Sequence, residues 1–162
     1  MEPIKNAVEL DEYLLHGDPD FTPNPTYQDQ LDSARRDAIA AAERRLGKPS
    51  RSVKHGVVDD WLRLGALSVI YNWATGKAKT CIHNPTMESP TPVISAAWMP
   101  DLIVCHGCSP QLVVDGDIDK RCDGCGHICE GPPDDGITPV TIIIGSLCYH
   151  AGACDSCYAK LP

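Results

Sequence analysis

The sequence predicts an α+β chain, with an N-terminal segment of two helices followed by a small cysteine-rich β-hairpin domain. Three observations carry this reading. All nine cysteines of the 162 residues lie in 81–162, and residues 1–80 contain none. Residues 26–46 and 57–74 carry helical patterns that stop at Gly47 and Gly76. Thr138 to Gly145 is a β-branched, apolar run that reads as a buried strand. The composition break at Gly76 divides the chain into an acidic irregular arm over 1–25, a helical hairpin over 26–76 and the cysteine-rich domain over 77–162.

The arm belongs to a segment, 1–34, with Lys5 against eight acids and a net charge of −7. Its prolines and aspartates between Asp18 and Pro25 predict irregular chain. Thr26-x-x-Asp29 offers a capping-box-like start to an Ala-rich helix, with Gly47 as its stop and Pro49 just beyond. The second helix, from Val57 to Ala74, has Asp59 and Asp60 at its positive end. Val58, Trp61, Leu62, Leu67, Ile70 and Trp73 cover more than one of its faces. That pattern implies burial between the first helix and the cysteine-rich domain, or a homodimer through the helix 57–74.

Between the helices the charge reverses. Arg35, Arg36, Arg44, Arg45, Lys48, Arg51 and Lys54 face only Asp37 and Glu43, a net of +5 over 35–54. The cluster is either a solvated face balancing the acidic arm or a nucleic-acid contact. The break from Gly47 to about Gly56 is too long for a compact helix-turn-helix.

The cysteines fall into short-range groups: Cys81-x-His83, Cys105-x-x-Cys108, Cys122-x-x-Cys125-x-His127-x-Cys129, Cys148-x-His150 and Cys154-x-x-Cys157. No apolar run approaches the ~20 residues of a membrane span, and the N-terminus lacks the pattern of a signal peptide. A cytoplasmic location is expected, where thiols stay reduced and a disulfide framework is disfavoured. Redox use of Cys-x-x-Cys needs a helix start in a βαβ unit, which the sequence does not show. Zinc explains the spacing best: two residues between thiolates let one turn place both sulfurs ~2.3 Å from a tetrahedral ion. Nine cysteines and the nearby His83, His106, His127 and His150 allow at most three such sites, and two structural Zn2+ ions are expected.

Cys122-Asp123-Gly124-Cys125-Gly126 is the sharpest signal, because the glycine after the second thiol permits the positive φ that turns backbone amides toward sulfur. Here the chain resembles zinc-ribbon and treble-clef fingers, which place a Cys-x-x-Cys-Gly knuckle, a hairpin, and then a second pair in a ribbon turn or at a helix start. Gly126–Glu130 and Thr138–Gly145 supply candidate strands, and Gly152–Lys160 a short helix with Cys154 and Cys157 on one face. Cys122 and Cys125 are therefore paired with Cys154 and Cys157. Upstream, Asp101–Val104 feeds the knuckle Cys105–Cys108, and Leu112–Val114 leaves it as another strand. Cys81 and His83, on one side of a short extended segment, complete that site. Cys148 and His150 have the same spacing and are the alternative pair, and a plain ribbon of Cys105, Cys108, Cys122 and Cys125 is a third arrangement. The run from Cys122 to Cys157 is also similar to the first six ligands of a RING finger, but the closing Cys-x-x-Cys is missing and ubiquitin transfer is not expected.

Cys129 reads as a small buried residue, and His106 and His127 as hydrogen-bonding or solvent-facing side chains. Asp115-x-Asp117-x-Asp119 resembles the start of an EF-hand calcium loop, but Lys120 stands where glycine is needed and Gly126 where glutamate is needed.

Residues 81–162 carry a net −7, and the whole chain −8. A four-cysteine zinc site adds −2 and a three-cysteine, one-histidine site −1, giving a loaded chain of −11. Such a domain repels nucleic acid. No His-Glu-x-x-His or deaminase pattern is present, and the convincing ligand sets are closed and sulfur-rich. The expected function is a non-enzymatic, zinc-stabilised binding or adaptor protein with a protein partner. The alternative is a nucleic-acid-binding regulator that uses the 35–54 segment.

Overall fold

Asn24 begins the longest helix among the described residues. Its side chain accepts the backbone N–H groups of Thr26 and Tyr27 at 3.0 and 3.2 Å, and Pro25 supplies a first helical residue that needs no N–H partner. The cap is thus Asn24 rather than the expected Thr26. This helix, α2 (Pro25–Leu46), ends as predicted at Gly47, whose φ of 64° is the left-handed conformation that satisfies the last turn. The computed structural model describes residues 4–16 and 24–162. Most of the stretch expected to be irregular, Asp18 to Pro25, lies outside them.

Within the acidic arm stands a helix that the sequence reading did not anticipate, α1 (Ala7–His16). It packs on α3 (Asp60–Ala74), the second predicted helix, which follows a 3-10 turn over His55–Val57. Asp11 locks the two together. Arg63 donates Nε–H to Asp11 Oδ1 at 2.9 Å and Nη2–H to Oδ2 at 3.1 Å, and His55 Nε2 reaches the same carboxylate at 2.6 Å. The Arg63 and His55 contacts hold the Asp11 carboxyl below its ordinary range despite its burial.

A five-stranded mixed sheet follows, in the order β1-β3-β2-β5-β4: β1 (Lys79–Thr80), β2 (Val93–Ala96), β3 (Met99–Cys105), β4 (Thr138–Ile144) and β5 (Leu147–Ala153). β2 runs antiparallel to β3 and parallel to β5, and β4 closes the edge as an antiparallel hairpin with β5. The α+β class is as the sequence predicts.

Strand alternation divides the core. Val93, Ile103, Leu147, Tyr149 and Ala151 point to one face, where they meet Leu62, Ala66 and Val69 of α3 and Val58 just before it. Ile94, Ala96, Val104 and Cys148 point to the other, where Ala38 and Ala42 of α2 cover them. Helices α3 and α2 therefore cover opposite faces of the sheet instead of packing as the expected hairpin. Helix α3 lies between α1 and the sheet, not between α2 and a zinc domain. That placement buries Leu62, Ala66, Leu67 and Val69 of α3. Tight approach makes this layer possible: a Cβ on Gly65 would collide with the Tyr149 hydroxyl.

Three local expectations also change. Leu112–Val114 is not a strand, since the chain after β3 runs as a 3-10 segment, His106–Leu112, followed by the short helix α4 (Gly116–Asp119). Gly126–Glu130 forms only one bridge, Arg121 with Ile128. Cys81–His83 is a turn rather than an extended segment: Asn84 N–H donates to Cys81 O at 2.9 Å, with Asn84 at φ 45°. Asn tolerates that left-handed conformation better than most side chains do. Among the described residues, no helix is long and apolar enough to cross a membrane.

Candidate metal centres

Two groups of four metal-ligating side chains assemble, each with its ligand atoms all within 4.8 Å of one another: Cys81, His83, Cys105 and Cys108, and Cys122, Cys125, Cys154 and Cys157. These are the two sets chosen from spacing.

The first group sits where β1 and β3 end side by side. These strands pair in parallel, Thr80 with Ile103, so the residues that follow leave the sheet together. The turn at Asn84 swings His83 back over Cys81. His83 Nδ1 lies 3.4 Å from Cys105 Sγ, 3.4 Å from Cys108 Sγ and 3.9 Å from Cys81 Sγ. Metal–sulfur bonds of ~2.3 Å and metal–nitrogen bonds of ~2.0 Å at a tetrahedral angle put N and S ~3.6 Å apart. The Cys105 backbone N–H points at Cys81 Sγ from 3.4 Å.

The second group joins a knuckle to a helix start. Gly126, at φ 78°, donates its N–H to Cys122 O at 2.8 Å and closes the predicted turn. Asp123 fastens the knuckle to β5: its N–H reaches Gly152 O at 2.8 Å, and its carboxylate accepts Gly152 N–H at 2.7 Å. β5 then delivers Cys154 as the cap of α5 (Asp155–Tyr158), whose first turn contains Cys157. Cys125 Sγ and Cys154 Sγ stand 3.8 Å apart. That is the edge of a tetrahedron with ~2.3 Å bonds, and far beyond a disulfide's ~2.05 Å.

The thiols behave as a crowd that lacks counter-charge. Burial opposes ionisation of Cys81, yet the Cys105 N–H and His83 bring its thiol down to about 6. Burial and the neighbouring Cys105 and Cys81 then push Cys108 up to about 11. In the second group the Ser156 hydroxyl and the Cys157 N–H bring Cys154 down to about 6, while burial and Cys122 push Cys157 up to about 12. One thiolate forms and its neighbours resist; a divalent cation inside the four would let the others ionise.

The alternative pair joins neither group. Cys148 is buried under α2, where its thiol points at Ala38 O from 3.5 Å, and burial pushes it up to about 11. His150 bonds Thr141 Oγ1 through Nδ1 at 2.6 Å and meets the Arg45 guanidinium through Nε2. Burial and Arg45 depress it to about 4. The plain ribbon fails as well, because Cys105–Cys108 and Cys122–Cys125 belong to different groups. His106 is half-buried, with Nε2 lacking a hydrogen-bond partner. All seven basic residues of 35–54 are exposed.

Sequence reasoning missed one cluster. His127, Cys129 and Asp135 also bring their ligand atoms within 4.8 Å of one another. The signal was the alternation Cys125-x-His127-x-Cys129; Asp135 was hidden in a segment that reads only as a turn. Beside the first group opens a cleft of about 670 Å³, bordered by Asp37, Arg44, His83, Thr86, Ser89 and His106. Comparison with protein-family models, with curated proteins and with solved structures returns no match for this chain.

Proposed function

We propose that this chain is a non-enzymatic, zinc-stabilised binding protein whose two four-ligand groups each hold a structural Zn2+ and whose partner is another protein. The spacing of the ligand atoms at the edges of two tetrahedra carries the reading. Four protein ligands leave no open coordination position, so the ions serve the fold. We read the knuckle, the β4–β5 hairpin and the α5 start as treble-clef-like. The first ion ties the ends of β1 and β3, and the second ties the knuckle to β5 and α5.

Two surface features support a protein partner. Ile82, at the tip of the first group's turn, is 91% exposed, an unusual place for so large an apolar side chain. The adjacent cleft, bordered by Arg44, Thr86 and Ser89, offers polar edges to a peptide segment. The test compares proteins cross-linked to wild type and to Ile82→Asp. A partner captured by wild type and lost from the variant, with zinc content unchanged, supports the reading; an identical set contradicts it.

The exposure of Arg35, Arg36, Arg44, Arg45, Lys48, Arg51 and Lys54 favours the second reading, nucleic-acid binding. Its mark is salt-dependent binding to a generic duplex. We expect none at physiological salt, because the rest of the chain is acidic.

A further inference from the structure

We propose that His127, Cys129 and Asp135 form a third metal site, an open one that takes a zinc-like divalent cation with water in the remaining position. Three ligand types come together, each placed by backbone pairing. Cys129 is tied to the knuckle by its N–H to Lys120 O at 2.9 Å, and His127 by its carbonyl, which accepts Cys122 N–H at 2.7 Å. Asp135 is brought back by a tight loop: Gly131 and Asp135 exchange N–H···O bonds of 2.8 and 3.1 Å. Its carboxylate accepts the Glu130 N–H at 2.9 Å and the His127 Nε2–H at 3.0 and 3.1 Å.

The cluster is therefore built before any ion arrives. Cys129 lies at its buried floor, 2% exposed. His127 and Asp135 form a rim whose side chains are 51% and 32% exposed. An ion enters from solvent and takes the place of the His127–Asp135 hydrogen bond, the imidazole proton moving through solvent from Nε2 to Nδ1 and the thiol proton passing to water, and it retains a water on its outer side. Thiolate, imidazole and carboxylate together select Zn2+ or Co2+ over Mg2+ and Ca2+, which prefer oxygen alone. One thiolate and one carboxylate balance the ion's charge. The site is distinct from the four-cysteine group, although Cys129 packs beside Cys122 and Cys154. Three ligands hold an ion less tightly than four, so this metal exchanges while the structural pair stays.

The full chain is stripped with a weak chelator to its two tightly held zincs and titrated with Co2+. One further equivalent should bind with a sulfur-to-cobalt charge-transfer band. The exposed ligands allow variants that spare the fold: in His127→Ala and in Asp135→Ala, with both tight zincs retained, Co2+ affinity should fall about 100-fold or more, since even outer-shell losses cost 10–100-fold. Cys129→Ser should remove the charge-transfer band. The proposal is overturned if the two-zinc wild type takes up no third ion, or if His127→Ala binds Co2+ as wild type does. Neither result bears on the two four-ligand groups, whose zinc is counted separately in the same samples.

Discussion

Gly124, between the two knuckle thiols of the second metal group, lies against the indole of Trp61 on α3. A Cβ at Gly124 would stand 3.0 Å from Trp61 Cε2 and 3.1 Å from Cys157 Sγ. Helix α3 contains no thiol, yet it touches the metal centre through this contact.

Trp61 should therefore report metal loss. In a chain with Trp73 and Trp98 replaced by Phe, a strong chelator is expected to shift Trp61 emission to the red and quench it, as the knuckle loosens and water reaches the ring. Steady-state fluorescence against zinc release is the measurement. Complete zinc loss with unchanged emission would separate α3 from the second site.

The two knuckles allow a matched comparison. Gly107 and Gly124 each precede the second cysteine of a Cys-x-x-Cys. A Cβ on Gly107 meets nothing nearer than Cys105 Sγ at 4.0 Å. Gly107→Ala should be nearly neutral, and Gly124→Ala should cost about 1–3 kcal/mol from overpacking and speed zinc release. Urea unfolding of both variants checks this; equal costs would contradict the packing described.

Asp11→Asn should loosen α1. It removes the buried negative charge facing Arg63, leaving the more exposed Asp60, 2.8 Å away, as its remaining carboxylate partner. Breaking a buried pair in this way costs about 3 kcal/mol. The folded pKa of Asp11 is depressed, so the ionised carboxylate stabilises fully above the unfolded value near ~3.9, and this contribution is lost as pH falls through the folded value. The stability gap between wild type and variant should be wide at pH 7 and close below about pH 4. A gap that stays constant with pH would rule out the ion pair as its source.

Cys125→Ser and Cys129→Ser should part company in metal content. The first removes a ligand from a closed group whose metal-binding energy is also folding energy, so one tight zinc is lost and the knuckle unfolds. The second keeps both tight zincs. Tight-zinc loss of similar size in both would place Cys129 in the four-cysteine group.

How much of this was legible follows from the kind of signal each element carries. The grouping of the thiols and His83 read well, because Cys-x-x-Cys spacing is a local geometric requirement, and the Gly47 and Gly126 turns read well for the same reason. β5 did not. Both of its faces are buried, so Cys148 and His150 alternate with Leu147 and Tyr149 without a polar side to mark the strand. Cys148 as a packed core residue then looks identical to a ligand. β2 is buried throughout and follows a proline-rich loop, which hid its four residues. Helix α1 was masked by its acids; that Asp11 belongs inside depends on Arg63, 52 residues away. The layering of α2 and α3 on opposite faces is likewise set by β2, β3 and β5 together, which no local window contains.

In our proposal, two closed tetrahedral zinc ions hold strand ends of this sheet to its knuckles. X-ray absorption at the zinc edge, on protein stripped of exchangeable metal and counted by elemental analysis, tests it most directly. The ligand groups predict two zincs per chain, sharing seven sulfurs at ~2.3 Å and one nitrogen at ~2.0 Å. A folded chain with one zinc or none, with iron in its place, or with a shell dominated by nitrogen and oxygen would contradict it.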